Sequence, residues 1–490
     1  MIYPSKKEFV KLSKKGNIIP VYTEISADYS TPISCFKQID KTDYSYILES
    51  AESGQRLGRY TFLGSDPSMV IQTKGRNIHI WKDKDVRSFI TEKDPIEEIK
   101  QIMKSYSYVK ASGLPRFCGG LVGYIGYDMV RFFEKIPDKC PDDLHLPDSV
   151  FILTDTMLIF DHTERTIKIL SNALIEKDPA TAYTVSVKKI EKIKRMLQKS
   201  SVQNKSRKKK VKSRITSNMT KKQFTEMVKK AKKYIRKGDI IQTVLSQRLE
   251  KKIGCDTFEI YKALRRINPS PYMFYLKLGG MKLIGSSPEI MVHTEHNNVQ
   301  LRPIAGTRPR GKDEAHDKKL IKELLNDPKE KAEHIMLVDL GRNDMGRVCE
   351  YKSIKIDELM QIEKYSHVMH IVSNVIGKLK RGKDIYDVVK ATFPAGTVSG
   401  APKIRAMEII DELEKTRRGP YAGAVGYFSF SGNEDFCITI RTILVKSNTA
   451  YIQAGAGIVA DSNPVKEYYE TLNKAKALLK AIELAEKGTD

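Results

Sequence analysis

The sequence predicts an antiparallel α+β fold, and three observations lead to this class. Strand-like segments mix irregularly with helical ones, unlike the strict strand–helix alternation of a doubly wound parallel sheet. No segment repeats at a fixed period. The glycine-rich segment 455–459 lacks the third glycine and the following helix that a dinucleotide-binding site requires.

Composition narrows the class of protein further. The chain has 490 residues, of which 40% are hydrophobic and 30% charged, so it can bury a sizeable core. No apolar run approaches the roughly 20 residues that span a bilayer, and the N-terminus lacks the apolar core of a secretory signal. The six cysteines have no CxxC spacing, which argues against a zinc site or a disulfide framework. We therefore expect a cytoplasmic protein without a membrane span.

The first part of the chain contains most of the clear strand patterns. Residues 166–170 alternate apolar and polar side chains, as a half-buried strand does, and residues 119–127 form a glycine-rich apolar strand. A helix is expected over residues 181–198. The remaining strands of this part are expected at 61–64, 69–72 and 150–153.

A basic segment marks the best candidate boundary. The net charge is +25, and residues 192–225 contain no acidic side chain. The densest part, residues 206–212, contains no aromatic side chain that could stack on bases, so we favour a solvated linker over a nucleic-acid-binding segment. The chain then divides into an N-terminal regulatory portion (1–190), a basic linker (191–222) and a C-terminal catalytic portion (223–490).

Helices at both ends of the last portion are predicted from their patterns. Residues 221–237 place their apolar side chains on one face and lead into a strand at 240–248. A long C-terminal helix begins with Asn463 as N-cap and Pro464 as first residue. Its expected inner face consists of Val465, Tyr468, Tyr469, Leu472, Leu479 and Ile482.

Two pairs of carboxylates are candidates for a metal site. Glu330 and Glu333 lie three residues apart, as do Glu467 and Glu470, so each pair shares one helix face. Two such helices facing each other would form an all-oxygen site suited to Mg²⁺. Spacing alone favours the alternative, in which Asp327 and Glu330 form a capping box and Glu467 interacts with a helix dipole.

Other residues indicate an anionic ligand. His367 and His370 have apolar neighbours, so each is either an interior side chain or a general base. Arg441 interrupts an apolar strand, where it needs an anionic partner such as a substrate carboxylate. Glycines at 396, 400, 455 and 457 either form tight turns or let backbone N–H groups bind anions. Together these residues suggest a small dianionic substrate held by Mg²⁺ and arginine.

Several motifs in this order resemble those of the chorismate-utilising enzymes, most closely the large aminase subunits of anthranilate synthases. The motifs are SPE at 287–289, PIAGTRPRG at 303–311, DLGRND at 339–344, FPAGTVSGAPK at 393–403 and GAGIV at 455–459. The resemblance implies two large antiparallel sheets packed as a sandwich, helices outside, and an active-site cleft between the sheets.

The resemblance also implies roles for particular residues. Mg²⁺ would be bound by Glu333 and Glu470, with Glu330 and Glu467 beside them holding water ligands. One carboxylate of chorismate would lie on the metal and on the backbone of Gly306 and Thr307. The other carboxylate and its surroundings would involve Tyr421, Arg441, Gly455, Gly457 and Lys474.

The implied chemistry is the conversion of chorismate and ammonia to anthranilate and pyruvate, the first committed step of tryptophan biosynthesis. Glu289 would be the general acid for the leaving hydroxyl, His370 would manage the C2 proton, and Thr397 would lie against the ring. Gln242 stands where water-using relatives carry a lysine base, which favours ammonia as nucleophile. Ala305 stands where aminodeoxychorismate synthases, the alternative assignment, carry a lysine nucleophile.

The resemblance finally implies a partner and an inhibitor. The chain has no G-x-C-x-G elbow of a glutaminase, so we expect a separate glutamine amidotransferase subunit to supply ammonia. The segments ILES at 47–50 and NPSPYMF at 268–274 resemble the two halves of a tryptophan site that mediates feedback inhibition. Alternatively, both segments are simply buried strands. The residues expected at this site are Glu49, Ser50, Pro271, Tyr272, Met273 and Gly285.

Overall fold

A computed structural model describes residues 1–28, 30–50, 58–82, 85–198, 213–365 and 368–488. His367 and the central part of the basic segment, 199–212, lie outside the described residues. The strands are β1 Ile2–Tyr3, β2 Ile18–Ser26, β3 Tyr44–Glu49, β4 Tyr60–Ser65, β5 Met69–Lys74, β6 Asn77–Lys82, β7 Asp85–Ile90, β8 Gly120–Ile125, β9 Ser149–Thr154, β10 Thr156–Asp161, β11 Thr166–Leu174, β12 Thr216–Ser217, β13 Gln242–Lys252, β14 Tyr272–Leu278, β15 Met281–Ser287, β16 Ile290–Glu295, β17 Asn298–Leu301, β18 Ile304–Pro309, β19 Lys355–Lys364, β20 Val368–Lys378, β21 Gly400–Ala401, β22 Ala424–Ser429, β23 Glu434–Ile438, β24 Thr442–Lys446 and β25 Thr449–Ile458. The helices are α1 Lys6–Leu12, α2 Pro32–Ile39, α3 Pro95–Lys104, α4 Pro179–Gln198, α5 Lys221–Arg236, α6 Thr257–Ile267, α7 Glu314–Asn326, α8 Pro328–Gly346, α9 Ile385–Thr392, α10 Lys403–Leu413 and α11 Pro464–Lys487, with 3₁₀ turns at Tyr127–Phe132 and Gly396–Val398.

The strands form two large antiparallel sheets, which confirms the predicted fold class. The first sheet has the order β1-β2-β11-β10-β4-β3-β14-β15-β24-β25-β13-β12, with β21 also paired to β13. The second has the order β18-β20-β17-β16-β23-β22-β8-β9-β5-β6-β7, with β19 paired to β20. Both sheets combine strands from either side of the basic segment: β3 pairs with β14, and β8 pairs with β22. The functional division at 190 and 222 stays a prediction.

The two sheets pack face to face around a shared core. Tyr124 and Val425 of the second sheet lie in one buried cluster with Leu276 and Leu283 of the first. Two further clusters fill the outer faces, where the sheets are covered by helices. Burial of apolar surface between these layers is the main term that stabilises the sandwich.

Helix α11 starts as predicted, but only part of its expected inner face is buried. The Asn463 side chain accepts hydrogen bonds from the backbone N–H groups of Val465 and Lys466, at 3.0 and 3.1 Å. The expected burial of Ile482 is confirmed, whereas that of Val465 and Tyr469 is wrong, because these side chains are 44% and 50% exposed. Tyr468 packs against the Phe224 ring of α5, so the first turns are covered on one side only. The buried stripe is Thr471, Ala475, Leu478, Ala481, Ile482 and Ala485, whose small members let the helix lie close to β25 and α6.

Candidate active site between two helices and two strands

One end of the sandwich brings together strands β13 and β25 and helix α8. Val244 lies opposite Gly457 in the β13–β25 pairing. The Gln242 amide donates a hydrogen bond from Nε2 to Oε1 of Glu333, at 3.2 Å. A Cβ atom at Gly457 would lie only 2.6 Å from that Nε2. A side chain at position 457 would therefore push the Gln242 amide away from its bond to Glu333.

Acids of both predicted carboxylate pairs lie within the electrostatic reach of one ammonium group. Lys474, one turn beyond Glu470 on α11, places its Nζ 2.7 Å from Glu470 Oε1 and donates to the Gly455 carbonyl at 2.9 Å. The same ammonium acts against the burial that raises the pKa values of Glu333 and Glu467. The acids from α8 and α11, remote in sequence, thus share one electrostatic environment.

This environment concentrates negative charge. Burial raises the pKa of Glu333, and the neighbouring Glu330 carboxylate raises it further, against the hydrogen bond from Gln242. Burial likewise raises the pKa of Glu467, with a further contribution from Glu470. In the described part of the chain, no three Asp, Glu, His or Cys side chains lie close enough together to hold a metal ion. The positive charge beside Glu470 comes from Lys474 instead.

The Asp327–Glu330 segment caps α8 with Asp327 alone. The Asp327 side chain caps α8 by accepting from the backbone N–H groups of Lys329 and Glu330, at 3.0 and 3.3 Å. The Glu330 carboxylate points the other way, accepting from Arg308 Nη1 at 3.1 Å, and Arg308 also binds Asp327 at 2.9 Å. The predicted box, with Glu330 returning to the cap, is wrong because Arg308 holds this side chain. Arg308 belongs to the 303–311 motif but was not singled out from the sequence.

Arg441 supplies a positive charge at this end that no ion pair neutralises among the described residues. The sequence pattern predicted that Arg441 interrupts a strand, but it lies between β23 and β24 with a φ of 50°. Its Nη1 donates to the Lys474 carbonyl at 2.9 Å. Burial lowers its pKa, while Tyr421 and Glu470 raise it. A half-buried guanidinium that forms no ion pair favours binding of an anion.

Tyr421 and the glycines of β25 line the same wall. A Cβ atom at Gly455 would lie 2.6 Å from the Tyr421 hydroxyl, so this ring packs directly on the strand backbone. Gly455 and Gly457 alternate along β25 and face Ser246 and Val244 of β13. The wall is therefore built from backbone that a ligand can approach closely.

His370 is held in one tautomer by the segment beside it. Its Nδ1 lies 2.9 Å from the Gly306 carbonyl and 3.1 Å from the Thr307 hydroxyl. Because a carbonyl only accepts, Nδ1 carries the proton and Nε2 keeps its lone pair. Burial lowers the pKa of His370, and the positive charge of Arg441 lowers it further. The ring is therefore a neutral base near pH 7.

Glu289 differs from His370 because its environment favours the protonated form. It lies between β15 and β16, where its carbonyl accepts from the Ile438 N–H at 3.0 Å. Burial raises the pKa of its carboxyl to about 8, although Thr397 and Lys474 act in the other direction. Glu289 is therefore mostly protonated at neutral pH and can donate a proton.

Comparison with known proteins places this geometry in a family. The family of chorismate binding enzymes matches residues 43–480. The chain belongs to this family. It is 49% identical to anthranilate synthase component 1 of Acetivibrio thermocellus and 48% identical to that of Aquifex aeolicus, over 99% of each chain in both comparisons.

Solved structures of other proteins have the same fold as this chain. The crystal structure of anthranilate synthase component I from Streptococcus pneumoniae superposes with a TM-score of 0.78 at 34% identity, over 93% of this chain and 98% of that chain. The isochorismate synthase MenF of Escherichia coli shares the fold, with a TM-score of 0.70 at 17% identity, over 98% of this chain and 99% of that chain. None of the helices described in this chorismate-binding enzyme is long and apolar enough to cross a membrane.

Away from the carboxylate pairs, this chorismate-binding enzyme has a cavity of about 340 Å³. Its lining includes five of the residues expected at a tryptophan site, namely Glu49, Ser50, Pro271, Tyr272 and Met273. The sixth expected residue, Gly285, does not line this cavity but packs against the ring of Phe274, which does. A Cβ atom at position 285 would collide with that ring. The two sequence segments meet because β3 pairs with β14, Glu49 lying opposite Met273.

The polar groups of this cavity were only partly predicted. Glu49 is buried and accepts from Arg265 Nε at 2.7 Å and from the Tyr261 hydroxyl. Asp435 accepts from Arg116 at 2.9 Å and from the Tyr272 hydroxyl at 2.8 Å. No sequence pattern pointed to Arg116 or Asp435, because they join the cavity only through the packing of the two sheets.

Proposed function

We propose that this chorismate-binding enzyme is the aminase component of an anthranilate synthase, which converts chorismate and ammonia to anthranilate and pyruvate. The observation that carries the proposal is the half-buried Arg441, which forms no ion pair among the described residues, at the same end of the sandwich as two carboxylate pairs. A small dianion matches this arrangement, with one carboxylate on Arg441 and the other on a bound cation. The high identity to two anthranilate synthase components over almost the whole chain supports this reaction.

We propose Mg²⁺ as the cofactor. The candidate ligands Glu333 and Glu470, with Glu330 and Glu467 beside them, are all carboxylates, and Mg²⁺ prefers such oxygen ligands. Because Mg²⁺ is commonly bound by one or two carboxylates together with water and substrate oxygens, the site would not need three protein ligands in contact with the ion. The raised pKa values of Glu333 and Glu467 fit this assignment, because a divalent cation would relieve the repulsion within each pair. When bound, Mg²⁺ would orient the substrate carboxylate and offset its charge. The Lys474 ammonium would offset part of the charge at Glu470.

The chain's own side chains can carry the proton transfers. Ammonia adds at C2 of the ring while the C4 hydroxyl leaves as water after taking a proton from Glu289. The new ammonium group on C2 gives up one proton to solvent. The neutral Nε2 of His370 then accepts the C2 proton while the C3–O bond breaks, and the released enolpyruvate takes up a proton on its methylene carbon to become pyruvate. Arg441, Tyr421 and the backbone of Gly455 and Gly457 hold the enolpyruvyl carboxylate. The backbone of Gly306 and Thr307 supports the ring carboxylate, and Thr397 lies beside Glu289.

Two positions favour this reaction over its relatives. Gln242 donates to Glu333 and offers no basic nitrogen, so it cannot activate water, whereas ammonia needs no activation. Ala305 on β18 has no nucleophile, which argues against aminodeoxychorismate synthase, the alternative assignment. Nothing in the geometry favours that alternative.

A partner and an inhibitor complete the proposal. We propose a separate glutamine amidotransferase as the ammonia source and tryptophan as the ligand of the 340 Å³ cavity. Glu49 and Ser50 would bind its amino acid head group, and Pro271 and Met273 its indole ring. The cavity is mainly lined by apolar and aromatic side chains, which suits an indole.

The decisive test is a product assay on the purified chain. We expect chorismate, Mg²⁺ and an ammonium salt to yield anthranilate, followed by its fluorescence, and a chelator to abolish the reaction. Chromatography separates anthranilate from para-aminobenzoate. Formation of para-aminobenzoate, or no reaction with chorismate, would contradict the proposal.

A further inference from the structure

On the side of strand β13 that faces β21, side chains as well as a neighbouring strand satisfy the backbone hydrogen-bonding groups. The short strand β21 pairs only with Gln242 and Thr243, and Val244 N–H then donates to the Ser399 carbonyl at 2.9 Å. The next two bonds on β13 are made by side chains: Arg418 Nη2 donates to the Val244 carbonyl at 2.7 Å, and Ser246 N–H donates to Glu414 Oε1 at 2.8 Å.

These two side chains form a buried ion pair. Arg418 Nε and Nη2 donate to the two oxygens of Glu414, at 3.0 and 2.7 Å, and Nη1 donates to the Val398 carbonyl at 2.8 Å. Arg418 is 4% exposed and Glu414 is 8% exposed. The planar guanidinium uses several donors at fixed angles, which a lysine cannot reproduce.

The ion pair touches three segments that carry proposed site residues. Val398 directly follows Thr397, and Val244 lies two residues beyond Gln242. The guanidinium carbon also lies 5.5 Å from the centre of the Tyr421 ring. Its other ring neighbour is Tyr127, at 4.7 Å. One buried cation therefore joins the turn, the strand and the ring that surround the reacting molecule.

We propose that Arg418, held by Glu414, is a positioning residue for the proposed reaction. It acts through Thr397, Gln242 and Tyr421 and does not itself contact the substrate. Small displacements of aligned groups lower the rate of the chemical step strongly. Loss of the guanidinium fork should therefore lower kcat more than it changes chorismate binding. This inference rests on the proposed function.

The test compares Arg418→Lys with a matched control, Arg131→Lys. Arg131 binds Asp411 of helix α10, three residues before Glu414, at 2.7 Å, and Asp411 is buried, but Arg131 contacts none of the three site segments. For Arg418→Lys we expect kcat to fall roughly tenfold to a hundredfold, with the KM for chorismate within about threefold of wild type. Arg131→Lys should keep kcat within about twofold.

A second readout does not depend on turnover. Hydrogen exchange should accelerate in residues 243–246 and 396–399 of Arg418→Lys but not of Arg131→Lys. Glu414→Gln, which leaves Arg418 without its counter-charge, should give the same pattern in both readouts. Unchanged exchange in these segments, or an equal loss of kcat in the control, would overturn the positioning role. Absence of anthranilate from the wild-type reaction would instead contradict the proposed function, and the exchange comparison would still decide the positioning role.

Discussion

The sharpest prediction concerns the proton held by Glu289. With a pKa of about 8, raised by burial, its carboxyl is about nine-tenths protonated at pH 7 and about one-tenth protonated at pH 9. If the protonated form is the general acid, kcat should be nearly constant below pH 7 and fall about tenfold per pH unit above 8. Replacement by glutamine, which keeps the shape but lacks the acidic proton, should lower kcat by roughly 10² to 10⁴ and remove the alkaline limb.

The assay measures kcat at saturating chorismate and Mg²⁺ from pH 6.5 to 9.5, with the free ammonia concentration held constant. Glu434→Gln is the matched control. Glu434 is a fully buried carboxyl whose pKa is also raised by burial, and it bonds to Thr294 away from the proposed site. This control should keep the wild-type pH profile. An alkaline limb near pH 8 that persists in Glu289→Gln would refute the assignment of Glu289 as the acid.

Three further predictions test the nucleophile, the metal and the inhibitor. In Gln242→Lys the new amine would place a base where Gln242 now donates to Glu333, so ammonia-dependent anthranilate formation should fall and water should compete as nucleophile. An unchanged product profile by chromatography would count against this role. Glu333→Gln should raise the Mg²⁺ concentration for half-maximal rate at least about tenfold, whereas Glu483→Gln, in a surface ion pair of α11, should leave the titration unchanged. Ser50→Ala should weaken inhibition by tryptophan about tenfold, and equal sensitivity of mutant and wild type would argue against the cavity as the site.

Local features were predictable because their causes are local. The cap at Asn463 depends on a side chain reaching N–H groups two and three residues away, and the structure confirms it. The shared face of Glu330 and Glu333 follows from the helical repeat alone. The exposure of Val465 and Tyr469 was not predictable, because a helical pattern does not say how far a helix extends beyond the core that it covers.

Sequence by itself determined the fold class, three of the helices (α4, α5 and α11) and the residue types that bear the chemistry, since periodicity, caps and motifs are written in neighbouring positions. Only the tertiary structure decided which of these groups meet. The charge of Lys474 acts on acids of both carboxylate pairs, and Glu289 is deeply buried, because two sheets pack against each other and carry distant segments to one end. Burial and the nearness of charge, which set the proton affinity of each group, arise from that packing and have no counterpart in the linear order of residues.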